Sequence, residues 1–169
     1  MELPMEYTQQ IEKARTIAEL FSLVQEIVRK YLRREQAGLL IGVTDLGSYP
    51  NGFLGAFYSL HANMILINKK PLQRVSQTNP SLYPYYLFHV LLHEYIHAIG
   101  AYDEQQARQL VYEISSHYFG QEHILTEFAT HIEKFIPQLT YPSAEFQPPE
   151  DLEIEFVMGI DRRNTNYIQ

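Results

Sequence analysis

The sequence predicts an α+β fold: a small mixed β-sheet with one helix before it and three after it. Three observations carry this reading. Residues 8–35 repeat apolar side chains at three- and four-residue spacing, residues 39–69 hold short β-type runs separated by turn residues, and residues 84–136 return to helical periodicity punctuated by Gly100, Gly120 and Pro137.

The N-terminal helix is expected over 8–35. Ile11, Ala14, Ala18, Phe21, Val24, Val28, Tyr31 and Leu32 form its apolar stripe, and Gly38 follows as a stop. Its polar face mixes Glu19, Glu26, Lys30 and Arg33, which fits core packing better than a one-sidedly basic membrane-surface helix. LLIGVTDL (39–46) has strand length, and GSYPNG is dense turn chemistry. LGAFYSL (54–60) and MILINK (64–69) flank only His61, Ala62 and Asn63, which predicts a hairpin. Pro71, Pro80 and Pro84 predict loop over 71–82 with one short helical turn.

Pro84 suits the first turn of the next helix, which runs to about Gly100. Asp103 can N-cap a second helix ending at Gly120, and a third follows over roughly 122–136. YPSAEFQPPE is proline-rich, and LEIEF (152–156) alternates as a strand does. We expect one domain over 1–140, with 141–169 an extended tail packing on it.

Composition removes several classes of function. There is no cysteine, which excludes disulfides, thiolate catalysis and cysteine-liganded zinc modules. Thirteen Lys+Arg against twenty Asp+Glu leave a formal charge of −7, a poor match for nucleic acid. No apolar run reaches the ~18 residues of a membrane span, and MELPMEYTQQIEKAR lacks the pattern of a signal peptide, so a cytoplasmic location with no membrane partner is expected.

The chemistry is concentrated in LLHEYIHAIGAYDEQQAR, residues 91–108. His93 and His97, four apart on a helix, share one face and can hold a single metal ion, while Glu94 lies on an adjoining face. Imidazole suits Zn²⁺. Two histidines and one further protein ligand leave a position open to water, whose proton Glu94 is placed to take. The bland alternative is a helix whose histidines are surface or hydrogen-bonded core residues. His89 falls one turn earlier on the same face, but three ligands in one straight row cannot surround a metal tetrahedrally.

HEYIH after a strand hairpin resembles the zincin metallopeptidases. The resemblance implies that His93 and His97 bind zinc, that Glu94 is the general base and that the substrate is a peptide or protein. The longer pattern His93-Glu94-x-x-His97-x-x-Gly100-x-x-Asp103 is similar to the metzincin consensus, with aspartate as third ligand as in snapalysin-type members. Two features depart from it: a helix begins at Asp103, and the only methionine past the motif that could supply the family's methionine turn is Met158. Small gluzincins instead place a glutamate ligand on the following helix, and YDEQQARQLVYEI is such a helix.

Geometry favours Asp103 or Glu104 as third ligand. A tight turn at Gly100 brings both near His97, while the far end of the second helix lies roughly 20 Å away at ~1.5 Å per residue. Glu113, His117, Glu122 and His123 are therefore disfavoured. Asp103 can equally be an N-cap and Glu104 a carboxylate suited to the helix dipole. Arg108, one turn on, can orient the ligating carboxylate or form a surface pair. In zincins an edge strand binds the peptide, here MILINK or LGAFYSL. Tyrosines of SLYPYY, Tyr102 or Tyr167 are candidates to stabilise an oxyanion.

Two other functions compete. His93-x-x-x-His97-x-x-Gly100-x-x-Asp103 is partly similar to the HxxxHxxGxDH of metal-dependent endoribonucleases, which have glycine at the place of Glu94 and a final histidine that is absent here. A zincin-like scaffold that binds a protein without catalysis is the other. Oligomeric state is not legible in the sequence.

Overall fold

The computed structural model describes residues 4–47, 52–137, 139–140, 148–149 and 151–160. The fold is α+β. In place of one N-terminal helix there are two, α1 (Pro4–Lys13) and α2 (Ile17–Leu32). Thr16 breaks the run as an N-cap: its hydroxyl oxygen accepts from Glu19 N–H at 3.1 Å, while the Glu19 carboxylate takes the Thr16 hydroxyl at 3.2 Å. This capping box, T-x-x-E, offers the backbone a better start for α2 than continuation of α1. α2 closes at Arg33 in the left-handed region, ahead of Gly38.

β1 (Leu40–Thr44) pairs in parallel with β4 (Met64–Asn68), and β4 pairs antiparallel with β3 (Ala56–Ser59) in the expected hairpin. β6 (Glu155–Phe156), the core of LEIEF, joins β1 antiparallel, so the order is β3-β4-β1-β6. β1 and β4 are buried at nearly every position. Gly42 permits this on β1, because a Cβ there would fall 2.4 Å from Ile154 Cγ2. The described part of the tail thus packs on the sheet, with Val157 N–H bonded to the Ile41 carbonyl and the Thr44 hydroxyl to the Glu153 carbonyl. A separate parallel pair joins β2 (Phe53–Leu54) to β5 (Leu139–Thr140).

Residues 71–82 are not loop. α3 (Lys69–Thr78) and a 3-10 turn (Pro80–Leu82) occupy them. Pro71 sits in the first turn of α3, where its missing N–H costs no hydrogen bond, and Leu72 and Val75 bury one face. α4 (Tyr83–Ala98) is buried almost all round and packs against α1, α2, α3, α5 (Glu104–Phe119), α6 (Ile124–His131) and strands β3 and β4. The motif therefore lies on the central helix of the molecule. The 48–51 turn, the proline-rich 141–147, Tyr167 and the rest of 161–169 fall outside the described residues. Among the described residues no helix is long and apolar enough to cross a membrane.

Candidate metal centre

α4 presents His93, Glu94 and His97, and all three are buried or half-buried. The helix ends by a tight reversal. Gly100 adopts φ +119°, which a side chain would oppose, and Gly100 N–H and Ala101 N–H return to the His97 and Ile96 carbonyls. α5 then starts directly. The exposed Asp103 is its N-cap, with Oδ2 accepting from Gln106 N–H at 3.3 Å. Glu104, the first residue of α5, points its carboxylate back at α4.

Glu104 Oε1 lies 2.9 Å from His97 Nε2, and Glu104 Oε2 lies 3.0 Å from His93 Nε2. One ligand atom from each of His93, His97 and Glu104 falls within 4.8 Å of the others, the group among the described residues that can hold a metal ion. Asp103 is engaged elsewhere as a cap, so of the two carboxylates the sequence leaves open it is Glu104 that meets the histidines.

Proton placement shows that the group fits a cation. His97 Nδ1 is 2.8 Å from the Ala101 carbonyl, an acceptor only, so Nδ1 carries the hydrogen. In the neutral ring Nε2 is then a bare lone pair facing a carboxylate oxygen at 2.9 Å. Two lone pairs at that distance require a proton or a cation between them. His93 Nε2 bonds the same Oε1 at 3.2 Å, while Glu104 Oε2, close as it is to His93, lacks hydrogen-bond geometry. In the metal-free chain the proton serves. Burial pulls His97 down, but the hydrogen bond to Glu104 and the charges of Glu94 and Glu104 outweigh it, so its pKa ends above the usual value. Burial acts on Glu104 in the opposite sense to the His93 and His97 hydrogen bonds, which win and hold it at about 2. Two imidazole nitrogens and one carboxylate oxygen are a donor set that divalent transition metals accept.

Glu94 is only 2% exposed. Burial raises its pKa, against the lowering influence of His93, His97 and a hydrogen bond from the Tyr58 backbone N–H. The carboxylate thus lies close to the backbone of β3. β3 is the outer strand of the sheet, so LGAFYSL supplies the edge beside the centre and MILINK lies inside.

The other candidates fall away from the centre. His89 is buried edge-on against Phe128, and burial holds it at about 3, so it is a neutral core histidine. His117 is exposed and packs on Tyr31 and Tyr118. His123 caps α6 through Nδ1 and meets Thr8 through Nε2. Glu113 accepts from Gln109, and Glu122 is exposed. Arg108 acts electrostatically on His89 and Glu133. Met158 is 83% exposed, so it is neither a floor beneath the histidines nor core packing. Of the candidate tyrosines, Tyr85 donates to Glu12 and Tyr86 is buried, while Tyr102 is 60% exposed and close enough to Tyr58 to influence it.

Sequence reasoning missed two backbone groups, the Ala101 carbonyl and the Tyr58 N–H. The first follows from the Gly100 reversal; the second depends on strand order, for which the sequence carries no signal. No protein-family profile, curated protein or solved structure matches the chain.

Proposed function

We propose that the chain is a zinc-dependent peptidase of zincin type, with His93, His97 and Glu104 as ligands and Glu94 as general base. The observation that supports this most directly is the convergence of three ligand atoms within 4.8 Å beside a buried carboxylate on the next helix position. Bound zinc would supply a Lewis acid that polarises the peptide carbonyl and acidifies water. The protein residues do the rest. The Ala101 carbonyl fixes the His97 tautomer so that Nε2 is offered as a ligand. Three protein ligands leave coordination open to substrate. Glu94, raised by burial, takes a proton from the attacking water and returns it to the leaving amine. The substrate is a peptide or protein, received along β3.

The test is metal content by mass spectrometry on zinc-supplemented protein, followed by Glu94→Gln. The variant is expected to keep the metal and to lose peptide cleavage by about 10²–10⁴-fold. Cleavage that survives the substitution, or protein that retains no metal, refutes the proposal.

A further inference from the structure

The edge beside the centre is stopped at one end. Asn68 N–H donates to the Gly55 carbonyl at 2.9 Å, and Ala56 to Ser59 pair with Ile67 to Met64. In an antiparallel pair the bonding residues alternate, so the backbone groups of Ala56 and Tyr58 face away from β4. Val90 lies against Gly55, and Glu94, one turn further along α4, is near enough to the Tyr58 backbone for its pKa to be lowered by it, so the reacting level falls near Tyr58.

Four residues back, the Asn68 side chain holds the Leu54 carbonyl from the inner side at 2.7 Å, and β5 pairs with Phe53 and Leu54 from the other. Leu139 fills the space over Gly55, where a Cβ would meet Leu139 Cδ1 at 3.3 Å and the Tyr86 hydroxyl at 3.1 Å. Tyr86 and Val90, which also lies against Gly55, sit two turns and one turn before Glu94 on α4, so this end is closed from below as well. The opposite end differs: β3 runs out into Leu60, 63% exposed.

A peptide that adds to β3 in the more stable antiparallel sense directs its C-terminal half towards β5. At ~3.4 Å per residue, the three residues between Tyr58 and the blocked Leu54 leave about 10 Å, room for two or three substrate residues. We infer that β5 limits the substrate on the C-terminal side of the scissile bond, so that the enzyme removes short pieces from peptide C-termini. This rests on the peptidase reading above.

Zinc-loaded protein is incubated with random dodecapeptides and the cut positions are mapped by mass spectrometry. Cuts are expected within about three residues of the C-terminus. For a cleaved peptide, about six added C-terminal residues should lower kcat/KM by roughly 100-fold, while the same extension at the N-terminus should change it less than about threefold. Efficient cuts with long C-terminal remainders, or equal tolerance at both ends, overturn the inference and leave the peptidase reading intact. No cleavage of any peptide overturns both. Thr140→Pro, checked for folding by circular dichroism, should relax the C-terminal limit by weakening β5; an unchanged limit in folded variant shows that β5 is not the stop.

Discussion

Exchange of each neighbouring carboxylate for alanine separates ligand from cap. Asp103 Oδ2 accepts one backbone N–H at a long 3.3 Å and lies apart from the histidine nitrogens. Asp103→Ala should therefore cost the fold about 1 kcal/mol, the usual worth of an N-cap, which lowers Tm by about 2–4 °C in a chain of this size. Its effect on zinc affinity should stay within about threefold, since the carboxylate makes no contact with the group. Glu104→Ala removes the carboxylate that touches both Nε2 atoms, at 2.9 and 3.0 Å. Loss of a partner outside the ligand shell typically costs 10–100-fold in metal affinity, so loss of the ligand should exceed that, on the order of 1,000-fold or about 4 kcal/mol. Its metal-free stability should fall as well, because the depressed carboxylate loses its pairing with the buried His93 and half-buried His97. The assay is competition against a chromophoric chelator, with thermal melts in excess EDTA. Equal loss of zinc affinity in the two variants, or a larger loss with Asp103→Ala, refutes the assignment.

Zinc should bind more tightly as pH rises through the raised pKa of His97, by up to about tenfold per pH unit below it, because the metal must displace the proton shared with Glu104; calorimetry in buffers of different ionisation enthalpy reads the released proton, and a pH-independent affinity contradicts it. His89 is held at about 3 against 6.5 in an unfolded chain, so the stability it contributes is present above pH 6.5 and lost as pH falls towards 3. Urea midpoints should decline across that window and decline less in His89→Phe; a parallel decline in both refutes the buried neutral histidine. Thr16→Ala breaks the capping box and should cost about 1 kcal/mol, read as a Tm drop of about 2–4 °C. Gly100→Ala places a Cβ at φ +119° and 3.0 Å from the Arg34 guanidinium, so it should cost about 1–2 kcal/mol in thermal melts and weaken zinc binding as well, through the misplaced start of α5.

Legibility followed the range of the interactions. Helix α5, capped by Asp103 and ended by Gly120, and the hairpin around His61–Asn63 are set by neighbours in sequence, and both stand where the sequence predicts them. The capping box at Thr16 is equally local, but the continuous apolar stripe across it masked the break. Pro71 misled for a related reason: a proline ends a helix only beyond its first turn, and the buried pair Leu72 and Val75 was the stronger signal. At the centre, spacing alone puts His93 and His97 on one helix face and Glu94 on the adjoining one. The pairing of β5 with β2 joins residues more than eighty apart, as Phe53 with Leu139, and no local pattern encodes it or tells which hairpin strand lies at the edge.

The division of labour between Asp103 and Glu104 has a physical cause. Helical side chains lean towards the N-terminus of their own helix. A residue in the first turn of α5 therefore projects back over the Gly100 reversal, towards the face of α4 that carries the two histidines. Asp103 stands one residue earlier, in extended backbone at φ −73° and ψ 129°, where its short side chain curls onto the free N–H of Gln106 instead. The site needs both residues: a cap to start α5 at this point and a longer carboxylate to reach across. The spacing HExxHxxGxxD marks the aspartate because it counts along the chain. The fold brings the glutamate to the histidines because the direction of its Cβ decides where a carboxylate reaches, and that direction is fixed only once α5 has begun.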